Sequence, residues 1–120
     1  DRLMSRGLGD VYKRQLQVLS DPQRPLGVDQ PTLLILGRPT CDDCQAFYAD
    51  LATWNPPRPL EVLTLNLRAP EGEVFRSLNP WTDHVDFVPF NVLYVGGEPV
   101  DQWTGGDLSR LETALASLEG

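Results

Sequence analysis

Residues 37–51 read GRPTCDDCQAFYADL, and they contain both cysteines of a 120-residue chain, three positions apart with two aspartates between them. Immediately before this stretch runs TLLIL (32–36), a continuous apolar segment of the kind that forms a strand covered on both faces, closed by Gly37 and Pro39. After it, Phe47, Tyr48, Leu51 and Trp54 recur at helical spacing until Pro56 forces Asn55 out of the helical region. The cysteines therefore fall where a strand turns into a helix. A chain of this length buries a core without a disulfide or a metal, so the pair has a local purpose: exchanging electrons, gripping a metal, or stapling a turn.

Working outward, PPRP (56–59) is a stiff connection into LEVLTLNL (60–67), which reads as a second strand. A helix between two such strands makes a right-handed parallel unit. The spacing predicts a short helix over 72–78 with Val74, Phe75 and Leu78 inward and Asn79-Pro80 as its stop. A loop, WTDHVDF (81–87), leads to VPFNVLYV (88–95), which Gly96-Gly97 joins to VDQWT (100–104) as an antiparallel hairpin, with Pro99 kept off the ladder at the start of its second strand. The last helix has Asp107 as N-cap, Ser109 with Glu112 as a competing capping box, and a buried stripe of Leu108, Leu111, Leu115 and Leu118. Residues 16–31 carry three prolines and read as a looped approach to the domain. Residues 1–15, DRLMSRGLGDVYKRQ, open on Asp1 and lack a sustained apolar period. They read as a non-native or disordered leader, which leaves 16–120 as one domain.

Seventeen acids against ten bases give a net charge of −7. Four of the ten bases but only two of the acids lie in the leader, so the remaining chain carries −9. Such a surface repels phosphate backbones and anionic lipid, which argues against nucleic acid and membrane as partners. No apolar run approaches the length of a membrane span and no hydrophobic signal core is visible, so a soluble, cytoplasmic protein is expected unless a true start is missing.

In its order of strand, helix, strand, helix, strand, strand, helix the chain resembles the thioredoxin-like superfamily. The features carrying the resemblance are Cys41-x-x-Cys44 at a strand-to-helix turn, Val88-Pro89 opening the third strand, and Gly105-Gly106 ahead of the last helix. The resemblance implies an α/β fold with a mixed four-stranded sheet flanked by helices, and a Pro89 that is cis and faces the disulfide. It implies thiol–disulfide exchange on protein or small-molecule disulfides, with Cys41 attacking the substrate, Cys44 resolving the mixed disulfide, and the Val88-Pro89 segment shaping a substrate groove. A monomer drawing electrons from a reductase or from glutathione, with no bound cofactor beyond its own cysteines, is expected.

A thiol at a helix N-terminus is favoured as thiolate by unpaired backbone N–H groups and by the dipole. Asp42 and Asp43 oppose this. An acid in the first turn stabilises the helix by roughly 0.3–1 kcal/mol. A carboxylate about 7 Å from the sulfur, at an effective dielectric of about 40, repels the thiolate by about 1 kcal/mol. The near-cancellation predicts a Cys41 that ionises close to an ordinary thiol and a disulfide that is hard to reduce, as suits a reductant or an isomerase partner.

The chain departs from general thioredoxins at two positions: Ile35 replaces their buried acid six residues before the first cysteine, and Thr40 replaces the tryptophan just before the motif. Glutaredoxin-like proteins lack that acid. Their glutathione-holding pattern is matched by Arg38, by the segment before Pro89, and by Gly105, Gly106 and Asp107, although Phe87 replaces their usual threonine. Two further readings come from other classes. Cys41, Cys44, His84 and one of Asp42, Asp43 or Asp83 could hold zinc. Alternatively, the groove at Pro89 could dock an extended peptide without turnover. Trp54 reads as core, and Trp81 and Trp103 as half-buried packing, with Trp81 a candidate for lining the groove.

Overall fold

The computed structural model describes residues 16–118; residues 1–15, expected to be a leader, lie outside the described residues. Five strands form one sheet in the order β1-β3-β2-β4-β5: β1 Gln17–Val18, β2 Thr32–Gly37, β3 Glu61–Asn66, β4 Phe90–Val95 and β5 Glu98–Thr104. Three helices, α1 Asp42–Thr53, α2 Pro70–Leu78 and α3 Leu108–Ser117, join a short 3-10 helix at Pro80–His84. β1 and β2 run parallel to β3, while β4 is antiparallel to both β2 and β5. No helix among the described residues is long and apolar enough to cross a membrane.

β2 explains why the sheet is covered twice. Side chains on a strand alternate between faces, so Leu34 and Leu36 join one core with Leu63, Leu65, Val92 and Phe75 of α2. Leu33 and Ile35 join the other, with Phe47 and Leu51 of α1 and Leu111, Ala114 and Leu115 of α3. All four β2 side chains have zero exposure. Each such burial stabilises by about 1.5–3 kcal/mol relative to an exposed side chain. α1 and α3 thus lie on one face and α2 on the other, with the β2–α1 turn at the end of the central strand.

The sheet has five strands where four are expected, because the approach segment contributes β1. Its two residues are exposed and reach β3 through the main chain, which leaves no apolar pattern to read. α2 begins at Pro70, where a proline's missing N–H costs nothing. Its inward line is Gly72 and Phe75. Val74 and Leu78, expected inward, are exposed. Gly72 sets this rotation: a Cβ there would come within 2.6 Å of the Leu67 backbone, so only a bare Cα passes the end of β3 this closely. β4 starts at Phe90 rather than 88, since Val88-Pro89 is a cis bond and Pro89 has no N–H for the ladder. Gly96 and Gly97 take positive φ of 65° and 88°, as the expected hairpin requires. Pro99 is not off the ladder but opposite Tyr94, beside the register shift at Leu93/Tyr94 and on the edge strand that tolerates it.

Asp107 caps α3, accepting a hydrogen bond from Ser109 N at 2.9 Å. The competing Ser109–Glu112 box does not form. Glu112 instead accepts from Nε1 of Trp54 at 3.1 Å, and Trp54, half-buried at the end of α1, packs against the core that α1 and α3 share. Asp107→Ala is expected to lower stability by about 1 kcal/mol, measured by urea unfolding, while Glu112→Ala leaves the α3 cap intact.

Candidate active site

At the end of β2 the chain turns through Arg38, Pro39 and Thr40, with Cys41 N donating to Arg38 O at 3.2 Å. Cys41 then occupies the N-cap of α1, and its sulfur accepts from the backbone N–H of Cys44 at 3.0 Å. The two cysteines form a disulfide with a Cα–Cα distance of 5.2 Å. Cys41 is half-buried, whereas Cys44 has zero exposure. One sulfur faces outward at a helix N-terminus and the other lies beneath it.

The Cys41 sulfur is 3.7 Å from the carbonyl oxygen of Val88. The cis Val88-Pro89 segment thus stands against the disulfide, far along the chain but adjacent in space. A network holds it there. Gly105 N donates to Pro89 O at 2.8 Å, and the fully buried Asn91 donates through Nδ2 to Gly105 O at 2.7 Å and to Trp103 O at 3.4 Å. A buried amide with two such bonds fixes the β5–α3 turn on the Pro89 loop. In the sequence Asn91 belongs to an apolar strand, and a lone polar residue inside FNVLYV is the visible signal of its role.

Tyr48 is a second residue read only as packing. A Cβ on Gly37 would contact both the Tyr48 hydroxyl oxygen and the Cys44 sulfur, the latter at 3.0 Å, so the phenol and the inner sulfur border the same small space. Burial pushes the Tyr48 phenol up from its ordinary value and keeps it a protonated donor. The signal available in the sequence is its position four residues after Cys44, one helical turn on.

Among the other expected site residues, Arg38 lines a cavity of about 400 Å³ together with Gly37 and Val88, next to the disulfide. Asp42 and Asp43 are exposed in the first turn of α1, and Thr40 is exposed just before it. Gly105 belongs to the Pro89 network. A Cβ on Gly106 would lie 2.8 Å from Phe47 Cβ, so the turn rests on that side chain. Asp107 is committed to capping α3.

Trp81 packs edge-on against Phe75 and tilted against Phe90, on the α2 face of the sheet. Trp103 is buried, with the Arg110 guanidinium 4.5 Å from its ring centroid. His84 is exposed, and Asp83 lies 3.9 Å from Arg76. Among the described residues no three His, Cys, Asp or Glu side chains gather where they could hold a metal ion.

No protein-family profile matches the chain, and no curated protein matches it in sequence. Solved structures do. Thioredoxin f from spinach chloroplast, in its short form, is 18% identical and superposes with a TM-score of 0.66 over 92% of this chain and 97% of that one. Thioredoxin f2 of Chlamydomonas reinhardtii is 16% identical, with a TM-score of 0.65 over 85% of this chain and 94% of that one. The thioredoxin of Malassezia sympodialis is 16% identical, with a TM-score of 0.62 over 88% and 93%. With a Cys-x-x-Cys disulfide at the start of α1 and a cis proline facing it, the chain folds as a thioredoxin-like domain.

Proposed function

We propose that this protein is a thiol–disulfide oxidoreductase that reduces disulfides of protein or small-molecule substrates. One observation carries the reading: an accessible sulfur at a helix N-cap, 3.0 Å from a backbone N–H and 3.7 Å from the Val88 carbonyl, paired with a sealed second sulfur.

In the reduced protein the Cys41 thiolate attacks one sulfur of the substrate disulfide. That S–S bond breaks, the leaving thiolate takes a proton, and a mixed disulfide remains on Cys41. The Cys44 N–H that now touches the Cys41 sulfur stabilises negative charge there whenever that sulfur is a thiolate. Cys44 then loses its proton and attacks the Cys41 sulfur. The Cys41–Cys44 disulfide forms and the second substrate thiol departs, so two electrons have passed to the substrate. A reductase or glutathione restores the dithiol. The Val88-Pro89 main chain lies outside the β4 ladder and is the edge along which an extended substrate segment would lie.

The test is catalysed reduction of insulin disulfides by wild type and by Cys41→Ser, with thioredoxin reductase or glutathione as alternative donor. Turnover by the wild type with either donor, lost in the variant, is expected. Equal background rates for both proteins would refute the assignment. The donor that works separates the thioredoxin-type from the glutathione-dependent route.

Asp42 and Asp43 damp the nucleophile in this account. Both are exposed, so their repulsion is screened by salt. Asp42→Asn with Asp43→Asn is expected to raise the alkylation rate of Cys41 at neutral pH by about fivefold at low ionic strength, with a smaller gain in concentrated salt. An unchanged rate would show that the acids serve the helix alone.

A further inference from the structure

Residues 16–118 contain six arginines and no lysine. Arg24 is bonded to Glu61 at 2.7 Å, and Arg110 to Asp101 at 3.1 and 3.2 Å. Three of the others, Arg38, Arg68 and Arg76, line one cavity of about 400 Å³ near the disulfide, although they come from the β2–α1 turn, the segment after β3, and α2. Neither the Arg38 nor the Arg68 guanidinium has an ion pair or hydrogen bond among the described residues. Arg76 has only Asp83, at 3.9 Å with both side chains exposed, a pairing that contributes little. Asp83 and Asp86 also line the cavity, so three arginines and two aspartates border it, a local positive excess in a chain of net charge −7.

The cavity lies beside the outer sulfur. Val88, in its wall, has its carbonyl 3.7 Å from the Cys41 sulfur. We propose that this cavity is an anion subsite that receives a carboxylate carried by the substrate close to its disulfide, and so selects anionic disulfides. The inference rests on the exchange reading of Cys41 and Cys44. A planar guanidinium fork matches a carboxylate in two parallel hydrogen bonds, and two guanidinium groups without partners stand ready to make them. The selection runs against the overall charge of the protein, which would repel the same substrates everywhere else on its surface.

The test compares rates at which the reduced protein opens three small disulfides: the dianionic dithiobis(nitrobenzoate), the neutral dithiodipyridine and the cationic cystamine. Each rate is read as a ratio to the neutral one. In Arg68→Ala/Arg76→Ala the anionic-to-neutral ratio is expected to fall by about tenfold, whereas Arg24→Ala, which removes the same kind of charge elsewhere, leaves the ratio where it was. In the wild type, added salt should slow the anionic disulfide far more than the neutral one, a readout that needs no variant. Two disulfide peptides, one flanked by glutamates and one by lysines, identify the source of the carboxylate. A glutamate preference that the double variant loses assigns it to a protein segment, and a preference confined to the small disulfide assigns it to a small molecule. An unchanged anionic-to-neutral ratio in the double variant, or the same fall in Arg24→Ala, overturns the subsite while leaving exchange standing. Failure of the wild type to open any of the three faster than Cys41→Ser overturns exchange, and the subsite with it.

Discussion

Cys44→Ser is expected to leave the protein covalently attached to its substrate. Cys41 keeps its place at the N-cap and still opens a disulfide. The serine hydroxyl that replaces the inner sulfur cannot attack the Cys41 sulfur and form a disulfide, so the mixed disulfide persists. Intact-mass measurement after mixing with a substrate disulfide should find one substrate thiol per protein, removed by dithiothreitol. Turnover should fall by roughly a thousandfold or more, about 4 kcal/mol of barrier. Cys41→Ser should lose turnover to a similar degree without forming the adduct, because the sulfur it keeps has zero exposure. The contrast between the variants carries the information. Adduct formation by Cys41→Ser, with none by Cys44→Ser, would reverse the roles given to the two sulfurs.

Phe47→Ala is expected to have the largest effect on stability. The ring is 1% exposed and packs with Leu33, Ile35, Leu51 and Leu111, so it ties α1 to the central strand and to α3. It also floors the Gly105-Gly106 turn, whose Gly106 leaves no room for a Cβ above it. Truncating a buried phenylalanine costs about 3–5 kcal/mol, a large share of the roughly 5–15 kcal/mol that holds a domain folded. Thermal unfolding should shift down by about 15 °C or more. A shift of only a few degrees would mean that this side chain does not bridge the two helices. Because the same turn holds Pro89 through Gly105, the variant should also lose exchange activity at temperatures where it is still folded.

How much of this was legible depends on what each element uses to hold itself. β2 was readable because its four apolar residues are buried on two faces at once, and the cysteines were readable because Gly37 and Pro39 mark the turn where they sit. The Asp107 cap was readable as a local bond between neighbours. β1 was not, since an exposed two-residue strand is selected by main-chain pairing with β3, and its side chains carry no pattern. The face of α2 is not legible for a different reason: helical spacing gives the period but not the phase, and the phase is set by how closely Gly72 passes the chain after β3. Within the site, Cys41, Cys44 and Pro89 announced themselves by residue type. Asn91 and Tyr48 look like packing in the sequence and gain their meaning from the atoms beside them. Arg38, Arg68 and Arg76 are scattered along the chain, and the parallel pairing of β2 with β3, which sets the segments after Gly37 and Asn66 side by side, together with α2 brings them to one cavity.

The central claim is that two electrons leave through Cys41 and Cys44 as a pair. A single turnover measures it directly: reduced wild type is mixed with one equivalent of a disulfide peptide, quenched in acid at intervals, and both partners are weighed. The account predicts that peptide thiols and the Cys41–Cys44 disulfide appear together, one disulfide formed for each one opened. Peptide thiols appearing while both protein cysteines remain reduced, or a dithiol that stays inert beside the peptide, would contradict it.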